Sequence, residues 1–174
     1  MKIFLIGLPG SGKSTIGKAL AKGLKISFVD LDKEIEKEEG MTPSEIFAMK
    51  KEEYFRKVES KELKRLCTSP SGFVMATGGG TPCFFDNMEV INRSGISIFL
   101  DVSAREVSER MLKTDLAKRP LLAKSSGDEV KDRIEFLRSS RISFYKQAHI
   151  IIDGDQITVE ELIRLINLKK GTQQ

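Results

Sequence analysis

Gly7-Leu8-Pro9-Gly10-Ser11-Gly12-Lys13-Ser14-Thr15 decides the reading of this chain. It follows the apolar run Ile3-Phe4-Leu5-Ile6 and precedes a helical stripe of Ile16, Leu20 and Leu24. It fits G-x-x-x-x-G-K-[ST] at every position, in the strand-to-helix context that gives the pattern meaning. Lacking Cβ atoms, Gly7, Gly10 and Gly12 let the backbone turn successive N–H groups inward. Those groups and the amino end of the next helix form a cradle for a phosphate chain. Gly10, Ser11, Gly12, Lys13, Ser14 and Thr15 are therefore the candidate nucleotide-binding residues. Lys13 would reach the β- and γ-phosphates, and Ser14 would offer a hydroxyl to Mg2+. A dinucleotide fingerprint does not fit, because Thr15 stands where its third glycine belongs.

Outward from this loop the chain alternates strand and helix. Ile26-Ser27-Phe28-Val29 is a second strand ending in Asp30-Leu31-Asp32, followed by a polar helix stopped at Gly40. Thr42-Pro43-Ser44-Glu45 is a capping box that starts a helical stretch reaching Leu66 in two pieces, with Phe55, Val58, Leu63 and Leu66 inward. Phe73-Val74-Met75-Ala76 is a third strand running into Thr77-Gly78-Gly79-Gly80, and a helix spans about Phe85 to Asn92. Ile96 to Leu100 is a fourth strand, and Ser103-Ala104-Arg105-Glu106 caps a helix to about Leu112. Residues 113–126 are polar, without a period, and read as a mobile loop. A long helix from Asp128 to Gln147, a strand from His149 to Ile152 and a last helix from Thr158 complete the chain.

Five short, continuously apolar strands separated by helices indicate an α/β fold with a parallel sheet covered on both faces. Ligands of such sheets bind beyond the carboxyl ends of the strands. The phosphate loop, the Asp30/Asp32 pair and the glycine run end strands one, two and three, so all three fall on one edge.

Composition fits a single domain. The chain has 174 residues, with 40% hydrophobic and 31% charged content, as in an ordinary globular protein. The net charge of +4 is mild and its basic residues are dispersed among acids, so no nucleic-acid partner is expected. No apolar run approaches about 18 residues, so no membrane span is expected. Cys67 and Cys83 form neither a disulfide framework nor a metal motif, which suits a reducing cytoplasm. The single histidine, His149, opens an apolar strand and reads as structural.

The chemistry is left to acids and arginines. Asp32 either holds and deprotonates a substrate hydroxyl, with Asp30 nearer a metal, or caps the following helix. Its place at the carboxyl edge favours the first. Gly78-Gly79-Gly80 is either a flexible turn or, since three glycines are costly in chain entropy, a close approach of backbone N–H groups to an anion. Arg141 falls in the apolar stripe of Val130, Ile134, Leu137 and Phe144, so it meets either an acid or a bound anion. Arg56 and Glu59 are either a surface i,i+3 pair or a carboxylate-binding arginine with its support. Between Arg110 and Lys146 there are ten Lys or Arg against five Asp or Glu, which is either a solvated loop or one that folds over phosphates, with Arg119 at the transferring group.

The phosphate loop, Asp30-Leu31-Asp32, Phe55-Arg56-Lys57-Val58-Glu59, Gly78-Gly79-Gly80, Arg119-Pro120-Leu121-Leu122 and Arg141 before Tyr145, in this order, resemble the shikimate kinase family. That family is a nucleoside-monophosphate-kinase-like group of P-loop phosphotransferases. The likeness covers nearly the whole chain. It implies a three-layer fold with sheet order 2-3-1-4-5. It implies one kinase domain over residues 1–174, with acceptor-binding helices at about 33–62 and a mobile lid at about 112–126. The implied reaction is transfer of the γ-phosphate of ATP, with Mg2+, to the 3-hydroxyl of shikimate, in aromatic amino-acid biosynthesis. The family is usually cytoplasmic and suggests a monomer.

By the same likeness Asp32 is the base, with Lys13 and Arg119 beside it at the transferring phosphate. Arg56 and Arg141 bind the carboxylate, and Gly78, Gly79 and Gly80 add backbone contacts. Arg110 flanks the adenine, while Ser14 and Asp30 attend the metal. Asp153-Gly154-Asp155-Gln156 departs from the basic, proline-containing adenine loop of many members. The rivals are a gluconate or nucleotide kinase and a non-catalytic ATP-dependent sensor.

Overall fold

The computed structural model describes residues 1–115, 127–153 and 158–171. The elements run β1 (Lys2–Ile6), α1 (Lys13–Leu24), β2 (Ser27–Asp30), α2 (Leu31–Glu39), α3 (Pro43–Cys67), β3 (Phe73–Ala76), α4 (Asn87–Ser94), β4 (Ile96–Asp101), α5 (Ala104–Asp115), α6 (Gly127–Tyr145), β5 (Ile150–Asp153) and α7 (Val159–Gly171). The strands form one parallel sheet in the order β2-β3-β1-β4-β5. The order implied by the family resemblance is therefore observed.

Side chains of β1 divide by period two, although the run is apolar throughout. Ile3 and Leu5 join Leu20, Ala21, Leu162 and Ile166 of α1 and α7 on one face. Phe4 and Ile6 join Leu31, Ile35, Phe55, Leu63, Val107 and Tyr145 on the other, under α2, α3, α5 and α6. This arrangement leaves the carboxyl edge of the sheet as the place where polar side chains gather.

Local signals account for most boundaries. Thr42 and Glu45 form the full capping box, each side chain bonding the other's backbone N–H. Ser103 Oγ accepts from the Glu106 N–H at 3.1 Å, and Thr158 Oγ1 from the Glu161 N–H at 3.2 Å. The two-piece helix after Thr42 is real. α3 is interrupted at Lys51, whose φ of 68° and ψ of 167° are not helical.

Several boundaries shift, among them the start of β2, at Ser27 rather than Ile26, and the end of α6, at Tyr145 rather than Gln147. A 3₁₀ turn at Thr81–Cys83 follows the glycine run, so α4 begins only at Asn87. Residues 113–115 are the end of α5 rather than loop. β5 begins at Ile150 rather than His149. The lid assigned to residues 112–126, including Arg119, lies otherwise outside the described residues. Among the described residues no helix is long and apolar enough to cross a membrane.

Candidate active site

The phosphate loop leaves β1 with positive φ at Gly7, Gly10 and Gly12, at 143°, 80° and 91°. Gly12 occupies the N-cap of α1 without a side-chain cap, so the first N–H groups of the helix are left to a ligand. Ser11 Oγ is buried and has no hydrogen-bond partner among the described residues. Uncapped N–H groups and an orphaned hydroxyl at one point are what a phosphate chain would satisfy. Lys13, buried, donates to the Gly7 and Leu8 carbonyls at 3.0 and 2.7 Å. Burial pulls its ammonium down to about 8, against the raising pull of Asp32 and Asp30. The ammonium still carries its charge at neutral pH, and an incoming polyanion would raise it again. Thr15 is exposed on the first turn of α1. Arg110 stands at the loop, where a Cβ on Gly12 would meet its Nη1 at 3.8 Å. Its Nε donates to Glu106 at 3.0 Å.

Asp30 and Ser14 come together at the end of β2. Ser14 Oγ donates to Asp30 Oδ2 at 2.9 Å. Two oxygens at the mouth of a phosphate cradle fit Mg2+, which takes one or two protein oxygens and completes its shell from phosphates and water. Asp32 sits one residue into α2, half-buried, and does not cap it. The N-cap position is held by Asp30, which makes no side-chain cap bond either. The capping alternative for Asp32 is therefore set aside. Burial, then Glu59 and Asp30, push the Asp32 carboxyl from 3.8 up to about 6, with Lys13 and Arg56 opposing.

Arg56 and Glu59 are not a surface pair. Glu59 is fully buried and Arg56 nearly so. Arg56 Nη1 donates to Glu59 Oε2 at 2.8 Å, while Nη2 and Nε donate to Glu52 Oε1 at 2.9 and 3.1 Å. The other Glu59 oxygen accepts from Thr81 Oγ1 at 2.6 Å. With both oxygens engaged, Glu59 holds the arginine and is not free to act as a base. Phe84, Phe55 and Phe47 surround the guanidinium, with ring centroids 4.3, 5.2 and 5.6 Å away. A planar cation held this way meets a carboxylate in a fixed orientation.

The glycine run lies inside this frame. A Cβ on Gly78 would stand 2.7 Å from Glu59 Oε1 and 3.4 Å from Asp32 Oδ1. One on Gly79 would stand 2.6 Å from Pro9 of the phosphate loop, and one on Gly80 2.7 Å from both Arg56 Nη atoms. The close approach that these glycines permit is thus to protein side chains, where the sequence suggested an anion. Arg141 is half-buried near Tyr145, Cys83 and Lys13, and among the described residues no acid pairs with it. The ion-pair alternative for Arg141 therefore lacks a partner. Cys83 stays a thiol, pushed by burial up to about 11. His149, just before β5, is structural as expected: it accepts from the Ser97 N–H of β4 at Nδ1 and its own N–H donates to Ser97 Oγ.

The family model for shikimate kinase matches residues 9–168. The chain belongs to the shikimate kinase family. It is 40% identical to the shikimate kinase of Bacteroides fragilis, over 97% of both chains. The solved shikimate kinase of Bacteroides thetaiotaomicron superposes with a TM-score of 0.88 at 37% identity, covering 98% of each chain. That of Acinetobacter baumannii, in complex with shikimate, superposes at 0.83 with 30% identity, covering 99% of this chain and 94% of that one. Within the shikimate kinase frame, Glu52, Thr81, Phe47 and Phe84 are the parts that sequence reasoning missed. Glu52 alone had a legible signal, standing four residues before Arg56 on one helix face.

Proposed function

We propose that this chain transfers the γ-phosphate of ATP to the 3-hydroxyl of shikimate, giving ADP and shikimate 3-phosphate for aromatic amino-acid biosynthesis. The observation that carries the reading is the meeting of Asp32 and the caged Arg56 at the glycine run, which itself packs on the phosphate loop. In this reading Gly10 to Thr15 and Arg110 hold ATP, and Lys13 and Arg119 neutralise the transferring phosphate. Arg56 and Arg141 bind the acceptor carboxylate, beside Gly78, Gly79 and Gly80. Asp32 accepts the hydroxyl proton as the new oxygen–phosphorus bond forms and the bond to the β-phosphate oxygen breaks. Ser14 and Asp30 would hold Mg2+, which supplies charge neutralisation to the β- and γ-phosphates. Arg119 takes its role from its sequence context alone. The proposal extends to residues 1–174 as a single kinase domain, monomeric and cytoplasmic, with no nucleic-acid or membrane partner.

A small hydroxylated acid suits two arginines beside an aspartate better than a nucleotide base does. ADP release, coupled to NADH oxidation, tests this with shikimate, quinate, gluconate and nucleoside monophosphates as acceptors. Turnover is expected with shikimate, is lost on adding EDTA, and is absent with gluconate or the nucleotides. Turnover with another acceptor and none with shikimate contradicts the substrate. The absence of ADP release with every acceptor tried would return the chain to an ATP-dependent sensor.

A further inference from the structure

Tyr145 is fully buried and ends α6, one helical turn beyond Arg141, so the two share a face. Its ring rests on Phe99 of β4, with centroids 5.1 Å apart. Its hydroxyl donates to the Gly79 carbonyl at 2.5 Å. A phenol has one proton, and giving it to Gly79 leaves the oxygen lone pairs for a donor. Arg141 supplies only donors, and its charge acts on this phenol. Gly79 in turn packs on Pro9 of the phosphate loop. One hydroxyl therefore stands where α6, the glycine run and, through Gly79, the phosphate loop converge.

We propose that Tyr145 is a positioning residue for the acceptor: its hydroxyl fixes the Gly79 carbonyl and the direction of the Arg141 guanidinium, so that carboxylate clamp and glycine run keep one geometry. This rests on the shikimate kinase reading of the site. Arg56 has Glu52 and Glu59 to hold it. Arg141 has no such described acid, and a neutral oxygen can orient a guanidinium without competing for its charge. Burial pushes the phenol up, so its proton stays available to Gly79 throughout the working pH range.

Wild-type turnover is measured first, which tests the underlying reading by itself; the Tyr145 measurements then use whichever acceptor the wild type phosphorylates. Tyr145→Phe should lower kcat/KM for the acceptor five- to thirtyfold and leave kcat/KM for ATP, at saturating acceptor, within twofold. In an Arg141→Ala background the same change should lower kcat/KM for the acceptor by a clearly smaller factor than in the wild type, because one of its two targets is gone and only the Gly79 carbonyl remains. In protein labelled with 13C at the tyrosine ζ carbon, the Tyr145 signal, assigned by Tyr54→Phe, should shift on adding that acceptor; this measurement needs no Tyr145 variant to fold. Equal losses for both substrates, an undiminished effect without Arg141, or an unmoved Tyr145 signal would each overturn the proposal.

Discussion

Asp32 carries opposing demands. As the proposed base it must be ionised, yet burial and the neighbouring Glu59 and Asp30 favour its neutral form and raise it to about 6. Below that pH the carboxyl is protonated and cannot accept the hydroxyl proton. With wild-type enzyme, kcat/KM for shikimate should fall about tenfold per pH unit below about 6. A flat profile down to pH 5 contradicts the assignment. The same shift bears on stability. A carboxyl raised in the folded state destabilises the fold above its folded pKa, and the penalty vanishes below the unfolded value of 3.8. Asp32→Asn should therefore abolish turnover while stabilising the protein at pH 7.5. The gain should be about 1–3 kcal/mol, the lower figure allowing for solvent screening at this half-buried group. Denaturant melts at pH 7.5 and pH 3.5 measure it, and a gain that persists at the lower pH would point to another cause.

Gly80 presents a separate steric constraint at the same scale. Its φ of −93° is open to any residue, so the demand for glycine is spatial. A Cβ there would meet two nitrogens of Arg56 at 2.7 Å. Gly80→Ala should leave the secondary structure intact by circular dichroism and raise KM for shikimate at least about tenfold, with KM for ATP near wild type. Equal increases in both would mean that the phosphate loop moved too.

At the scale of elements, α3 joins two unlike jobs. Its amino-terminal turns carry Phe47, and its second piece carries Phe55, Arg56 and Glu59. Lys51 joins the pieces in a backbone region that is nearly exclusive to glycine, at a cost of about 1–3 kcal/mol. Lys51→Gly removes that strain and adds about 0.5–1 kcal/mol of chain entropy cost. The net gain should be about 1 kcal/mol, a rise in Tm of roughly 2–4 °C by calorimetry. Lys51→Ala should give no such rise, and an equal rise with alanine would deny the strain.

Elements also divide what the sequence could and could not reveal. Thr42 with Glu45 and Ser103 with Glu106 sit three residues apart, so each cap is written locally and each helix start was legible. Arg56 with Glu59 is equally local. What brought Thr81 to Glu59 and Tyr145 to Gly79 is tertiary, across 22 and 66 residues, and no periodicity records it. The kink at Lys51 was legible only as a helix in two pieces, because a lysine gives no sign of a glycine-like backbone.

Across the whole molecule, parallel strands place the carboxyl ends of β1, β2 and β3 side by side. That topology, and no single motif, sets the phosphate loop, Asp30, Asp32 and the glycine run at one edge. The apolar strand pattern foretold a covered parallel sheet, but the order of its strands came from the family resemblance. The departure after β5 falls mostly beyond the described residues; Asp153 ends the strand, paired in register with Asp101.

This edge is proposed to move one phosphoryl group onto one hydroxyl of shikimate. The most direct measurement is 31P and 1H NMR of the product formed from shikimate, ATP and Mg2+ by the purified chain. A single phosphate monoester is expected, its phosphorus coupled to the proton on carbon 3, formed one for one with ADP. A phosphate on another hydroxyl, or ADP accompanied only by inorganic phosphate, would contradict it.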